Sequence, residues 1–350
     1  MPRTCVGLDI GTSGVRAAEV ASTRSGAALT RFASVALPYG AVRDGDVLDG
    51  PVVTAALKEL WSTGRFRSKR VVIGVASQRV VVRSVDLPKM PAADLRKALP
   101  FQVADVLPMP VDQAVLDFLP VEERTHEGQT TIRGLLVAAA EDSVLARVEA
   151  VRAAGLRVTG VDLVSFALLR SVASPAGSRD GAEAVVDVGA RVTNVAVHAG
   201  GCARFVRVLL GGGDRVVDEL VASGLDGDDA RRLLRDEGVD VESRLSGGDA
   251  RSAAVVTRAA ERLAEGVRDS LDYYSATQGG DPLRSVVLVG GTALVPGFAD
   301  LLSEVVGLPV RRGDALSRLV PGRTALTDEV AAEVATLGGV PVGLALAGAA

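Results

Sequence analysis

Asp9 is a carboxylate set inside an apolar strand, Val6-Gly7-Leu8-Asp9-Ile10, and a turn of small residues, Gly11-Thr12-Ser13-Gly14, follows at once. Burying a carboxylate costs several kcal/mol unless charge or hydrogen bonds compensate it. One reading is modest: the aspartate ends its strand and caps the turn. The other is chemical. A hydrated metal ion would sit near Asp9, and Gly11, Thr12, Ser13 and Gly14 would offer amides and hydroxyls to phosphate oxygens. One Asp-x-Gly-Thr does not decide between them.

The same grammar recurs in VVDVGARVTNVAV, Val185 to Val197, where an apolar strand runs into Asp187, Gly189 follows, and a short polar turn leads to a second strand. Repetition within one chain is worth more than either copy. Two such turns about half a chain apart predict two similar lobes facing a shared cleft. The polar, turn-rich segment SPAGSRDGAE, Ser174 to Glu183, is suited to joining them. A third element, VVLVGGTALVPGF, ends a buried strand on Gly290 and Gly291, which remove side chains where a ligand would approach. Pro296 and Gly297 then open a helix over Phe298 to Val306. A fourth, LLGGGDRVVDEL, places Gly212 and Gly213 before a helix whose free amides would face phosphate.

The whole chain must position these turns. At 350 residues it is too long for one ordinary core. Its 48% hydrophobic and 23% charged residues suit a folded soluble protein, and a net charge of −4 supplies no basic face for nucleic acid. Aromatic residues are 3%, too few for stacking surfaces on bases or sugars. The two cysteines, Cys5 and Cys202, fit a reducing cytoplasm better than a disulfide or metal site. A strand begins almost at the first residue, which leaves no room for a signal peptide. The longest uncharged run, Val334 to Ala350, is broken by glycines and Pro341 and is too short for a membrane span.

Taken in order, these pieces resemble the actin-like ATPase superfamily. Gly7 to Arg16 is similar to its first phosphate loop, Val185 to Val197 to its second, and Val286 to Phe298 to its adenosine motif. The resemblance implies ATP and Mg2+ as cofactors, with Asp9 and Asp187 holding the ion through its water shell. It places Gly11, Thr12, Ser13, Gly14, Arg16, Gly189, Arg191, Thr193, Gly212, Gly213, Gly290, Gly291 and Thr292 around the nucleotide. Arg16 stands where a lysine is usual, which keeps the charge and changes the geometry.

The segment Ser84 to Glu123 narrows the branch. Leu95, Ala98, Leu99 and Val103 recur at helical spacing after Pro91, and AVLDFLPV and TTIRGLLVAAA read as strands. Pro100 falls inside that helix and is expected to break it. The result is a small α+β insertion of about 77–156. Its wording, DLPKMP, FQVADVLP and LDF, resembles the PilM family of type IV pilus proteins, as do Gly155 to Ser171 and Arg268 to Gly280. FtsA, the related division protein, ends in a basic amphipathic helix, whereas this sequence ends in ALAGAA.

The resemblance implies a cytoplasmic scaffold held at the inner face of the membrane through partners, chiefly the N-terminal cytoplasmic peptide of a PilN-like inner-membrane protein. That peptide would dock in a groove between the first lobe and the insertion. Val164 stands where FtsA-like proteins often carry a water-orienting glutamate, so hydrolysis is expected to be slow or absent, and no catalytic residue is assigned. Arg231 and Leu234 fall where the family usually presents Glu and Lys to the nucleoside. Of the two histidines, His126 and His198, neither is expected to act as a base; both read as surface residues. The alternatives are a small-molecule kinase of the sugar or acetate type, an FtsA-like division protein, and a docking module that binds no nucleotide. The expected architecture is a two-lobed α/β actin-like fold: first lobe 1–175, second lobe 182–338 with a helical subdomain at about 210–280, and a C-terminal helix, 341–350, packing on the first lobe.

Overall fold

A computed structural model of the chain describes residues 4–126, 128–174, 181–239, 250–277, 281–320 and 326–349. Residues 175–180 of the expected joining segment, residues 278–280 at the end of the Arg268 to Gly280 motif, and residue 350 lie outside them. The chain opens with β1 (Thr4–Ile10), β2 (Gly14–Thr23) and β3 (Gly26–Ala36), a small hairpin of β4 (Val42–Arg43) and β5 (Asp46–Val47), then α1 (Gly50–Gly64) and β6 (Arg70–Val75). It leaves this sheet for β7 (Val80–Pro88), α2 (Ala92–Gln102), β8 (Ala114–His126) and β9 (Gln129–Ala140). It returns through α3 (Glu141–Ala153), β10 (Arg157–Leu163) and α4 (Val164–Val172). The second half runs through β11 (Ala182–Val188), β12 (Val192–Ala199), β13 (Cys202–Leu210), α5 (Gly213–Ala222), α6 (Gly227–Asp236) and the long helix Ala250–Thr277. It ends with β14 (Leu283–Val289), the helix Phe298–Val306, β15 (Val310–Arg312) and the helices Asp328–Leu337 and Gly339–Ala349.

The two halves repeat one topology. The first sheet has the order β10-β6-β1-β2-β3 and the second β15-β14-β11-β12-β13. In each, the strand carrying the aspartate lies at the centre, paired antiparallel to the next strand in the chain and parallel to a later one. The hairpin register sets Asp9 opposite Arg16 and Asp187 opposite Asn194. Both aspartates therefore occupy the same place in their lobes, near the carboxyl end of a central strand, where open α/β sheets bind ligands.

Each lobe has its own core. Leu8, Leu57, Leu60 and Ile73 are fully buried in the first, and Leu220, Leu288, Phe298 and Leu302 in the second. A fully buried side chain of this size contributes about 1.5–3 kcal/mol. A third cluster joins the lobes: Leu168 of α4 and Leu344 of the C-terminal helix pack with Val72 from the first sheet and Val185 and Val287 from the second. The C-terminal helix comes so close to β1 that a Cβ at Gly7 would lie 2.0 Å from the Pro341 carbonyl oxygen. It begins at Gly339, two residues before Pro341. Among the described residues no single helix is long and apolar enough to cross a membrane.

The insertion is a three-stranded antiparallel sheet, β7-β9-β8, covered by α2. Leu99 and Val103 close a small core over Leu87 and Leu136. The expected break at Pro100 does not occur, for α2 continues to Gln102. Pro100 sits in the last turn, where its missing N–H removes one bond, and the Val103 amide returns to Leu99 O at 3.2 Å. Val144, Val148 and Val151 of α3, near the end of the expected insertion, pack into the first lobe's core together with Val137 and Ala139 of β9. His198 is not a surface residue: it is 1% exposed on β12, with Nε2 3.2 Å from Glu183 Oε1.

Candidate functional site

Between the lobes lies a cavity of about 380 Å³. Asp9, Gly11, Thr12, Ser13 and Arg16 line it from the first lobe, and Asp187, Gly189, Gly213, Gly290, Gly291 and Thr292 from the second. Four of the sequence candidates stand off its wall. Gly14 starts β2, where a Cβ would meet Val35 O at 2.7 Å. Thr193 is buried and donates to Gly211 O at 2.8 Å. Gly212 is pressed against the second loop, its Cβ position 2.2 Å from Gly189 O. The Arg191 guanidinium is drawn aside by Asp218 at 2.9 Å and Asp214 at 3.4 Å, and it hydrogen-bonds the Tyr39 hydroxyl at 3.0 Å.

The helix-terminus reading of the glycine run is also corrected. The amides of Gly213 and Asp214, at the start of α5, donate to Gly189 O at 3.0 Å and Ala190 O at 2.9 Å. They brace the second loop and do not face the cavity as free donors. Thr292 Oγ1 braces the same carbonyl of Gly189 at 3.2 Å. The Gly-Gly pair divides its work similarly. Gly290 has φ +91°, and a Cβ there would lie 2.4 Å from Asp187 Oδ1 and 2.6 Å from Val188 O, so its glycine keeps room for the aspartate. At Gly291 a Cβ would meet nothing within 4 Å, which leaves that position open to a ligand.

Asp9 and Asp187 face the cavity with few hydrogen-bond donors, although Arg16, Arg147, Arg231 and Arg235 also line it. Burial pushes the Asp187 carboxyl up to about 6; the hydrogen bond from Asn194 opposes this, the charge of Asp9 adds to it, and Arg16 opposes it. Burial also raises Asp9, against the charges of Arg16 and Arg147. Arg16 Nη1 is 3.8 Å from Asp9 Oδ2, too far for a hydrogen bond. Glu19 shows the contrast. It is 1% exposed, yet Thr30, the Arg67 amide and Arg31 bond to it within 2.6–2.8 Å, and these outweigh burial and hold its carboxyl below the ordinary range. A structural carboxylate in this protein is saturated with donors, and those of the cleft are not.

A divalent cation fits such a site through water. Among the described residues no group of three or more His, Cys, Asp or Glu side chains forms a direct ligand cage. Two facing carboxylates suit an ion that keeps most of its water shell, as Mg2+ does. Asn194 Oδ1 and Arg16 Nε are buried and have no hydrogen-bond partner among the described residues, and both side chains line the cavity.

Several wall residues escaped the sequence reading. Asn194 is one. Arg147 is another: 3% exposed, it donates from Nη1 to Ile10 O at 3.1 Å and Gly74 O at 3.3 Å and from Nη2 to Gly45 O. It thus pins the ends of β1 and β6 beneath the first loop. Its signal was a lone arginine on the Val144-Val148-Val151 face of α3. Val164, Arg231 and Leu234 also line the cavity.

The family model for the type IV pilus assembly protein PilM matches residues 7–348. The cell division protein FtsA of Streptococcus pneumoniae is 26% identical over 345 residues, covering 87% of this chain and 74% of its own. Among solved structures, the PilM-PilN type IV pilus biogenesis complex matches with a TM-score of 0.86 at 26% identity, over 99% of this chain and 98% of that one. The ethanolamine utilization protein EutJ from Carboxydothermus hydrogenoformans matches at 0.54 with 20% identity, over 99% and 90%. An MreB of Spiroplasma citri bound to AMPPNP matches at 0.51 with 12% identity, over 97% and 94%. These last two share the fold alone. With an actin-like fold in both lobes and a family match over nearly its whole length, the chain belongs to the PilM family of type IV pilus assembly proteins.

Proposed function

We propose that this PilM-family protein is a scaffold whose cleft binds ATP with a hydrated Mg2+ ion and whose first lobe docks the N-terminal cytoplasmic peptide of a PilN-like inner-membrane protein. The observation that carries the nucleotide half is the pair of buried, sparsely hydrogen-bonded carboxyls, Asp9 and Asp187, that face a cavity shared by both lobes. Bound there, the ion supplies positive charge between the carboxylates and the phosphates. Arg16 and the turn residues Thr12 and Ser13 would hold phosphate from one side, the loop that follows Gly189 from the other, and Gly291 would admit the nucleoside. Val164 is apolar and buried at the cavity wall, so no side chain there orients water, and turnover is slow or absent.

The partner half rests on the relative that was solved as a PilM-PilN complex. In this chain α3 touches both β8 of the insertion and β10 at the edge of the first sheet. Val115 and Leu119 on β8, Leu145 on α3 and Val161 on β10 are exposed apolar side chains on these three elements. Such a group suits an apolar peptide better than water. The partner would keep the protein at the inner face of the membrane.

Calorimetric titration of the full chain with ATP and excess Mg2+ tests the nucleotide half. Saturable binding is expected, and affinity weaker than about 1 mM, or about −4 kcal/mol, rejects it.

A further inference from the structure

The two lobes place different chemistry at one equivalent position. Across the first hairpin Asp9 faces Arg16, and across the second Asp187 faces Asn194, each seven residues after its aspartate. Both partners line the cavity, and each keeps one buried atom with no hydrogen bond, Arg16 Nε and Asn194 Oδ1. Those atoms are opposites. A guanidinium only donates, so it calls for an anion, while an amide oxygen only accepts, so it calls for a donor. Asn194 is 4% exposed and its Nδ2 is held at 3.1 Å by Asp187 Oδ2, which fixes which end of the amide meets the aspartate. A buried acceptor left bare costs about 1–3 kcal/mol, a cost that a ligand carrying a donor removes. Phosphate oxygens of a fully ionised nucleotide carry no such donor, but water in the shell of a divalent cation does.

We propose that Asn194 is the binding residue that makes the cleft select the cation-loaded nucleotide: Nδ2 orients Asp187, and Oδ1 accepts a hydrogen bond from a cation-bound water. Arg16 does the complementary work and takes a phosphate oxygen whether or not the cation is present. This rests on the nucleotide reading above. It gives the two hairpin partners different tasks, Arg16 toward phosphate and Asn194 toward the water shell of the cation.

The test titrates the full-length protein with ATP in excess Mg2+ and with ATP in EDTA. Asn194→Leu should weaken Mg-ATP binding at least tenfold and leave metal-free ATP within twofold, whereas Arg16→Gln should weaken both forms by a similar factor. Equal loss of both forms in Asn194→Leu, or loss of neither, overturns the proposal. Wild-type protein that binds neither form defeats the nucleotide reading instead, and so separates the two failures. The unliganded melting temperature of each variant checks the fold. If Asn194→Leu does not fold, Asn194→Ser is read in the same titration, and loss of the cation-dependent gain must again exceed loss of metal-free binding.

Discussion

Asn194 lies directly across the β11–β12 hairpin from Asp187 and donates to its Oδ2 at 3.1 Å. It is the one side-chain hydrogen bond that lowers the acidity shift of a carboxyl otherwise raised by burial and by Asp9. The pair places a carboxyl oxygen at the wall of a cavity, with only the Asn194 hydrogen bond and the charge of Arg16 to set against burial and Asp9. That relationship underlies the first expectation.

Asp187→Ala should lower Mg-ATP affinity at least tenfold, about 1.4 kcal/mol, because it removes half of the charge that holds the ion. The fold should persist, since the carboxylate contributes no saturated network. Calorimetry on both proteins checks this, and equal affinities refute the assignment.

The two adjacent glycines should separate fold from binding. Gly291→Val should abolish nucleotide binding at nearly wild-type melting temperature, since its side chain would enter open cavity. Gly290→Ala should destabilise the protein itself by at least about 2 kcal/mol, from a positive φ combined with contact against Asp187 and Val188. Thermal denaturation and a binding titration on each variant give the answer. Reversed behaviour would mean that the strand end is misread.

Phosphate release should be slower than about 1 per second, the low end of ordinary enzymes. Val164 offers no polar atom to a water, and His198 is buried against Glu183 rather than at the cavity wall. A faster rate in a purified preparation, abolished by Asp187→Ala, would show that a base has been overlooked.

Acid stability should depend on Glu183, at the joint between the lobes. Burial would raise its carboxyl, but bonds from His198, from the Ser174 amide and hydroxyl, and the charge of Arg311 outweigh it and hold it at about 2, against 4.5 for an unperturbed glutamate. A depressed carboxyl stabilises the fold fully above the unfolded value and loses that contribution as pH falls from about 4.5 to about 2. The stabilisation is about 3 kcal/mol. Denaturant melts of wild type and Glu183→Gln should differ most near neutral pH and converge toward pH 2. A gap that stays constant with pH assigns Glu183 no electrostatic role.

Partner binding and nucleotide binding should be linked. If ATP closes the lobes, the insertion moves with them, since β7 and β8 touch β13 of the second lobe and Glu122 lies 3.9 Å from Arg204. Linkage then requires bound peptide to change ATP affinity by the factor that ATP changes peptide affinity. Titration of a PilN-type N-terminal peptide with and without Mg-ATP measures both. No peptide binding in either state removes the scaffold reading, and equal binding in both leaves a scaffold without a switch.

The strand-turn-strand repeats were legible in the sequence because they are local. Apolar runs, an aspartate and small turn residues specify a hairpin within about ten positions, and a short turn then sets the register that puts Arg16 opposite Asp9 and Asn194 opposite Asp187. Two copies half a chain apart implied the two lobes for the same reason. What the tertiary structure alone decided is which of those polar groups remain available. Arg191 sits in the second loop by sequence, but Asp218, 27 residues on, and Tyr39, from the other lobe, draw it from the cavity. The Gly213 amide is taken by Gly189, 24 residues earlier, and His198 is buried against Glu183. Asn194 Oδ1 and Arg16 Nε, in the same turns, are left bare. A hydrogen bond is satisfied or not according to what the folded chain brings within about 3 Å, and residues distant in sequence supply that.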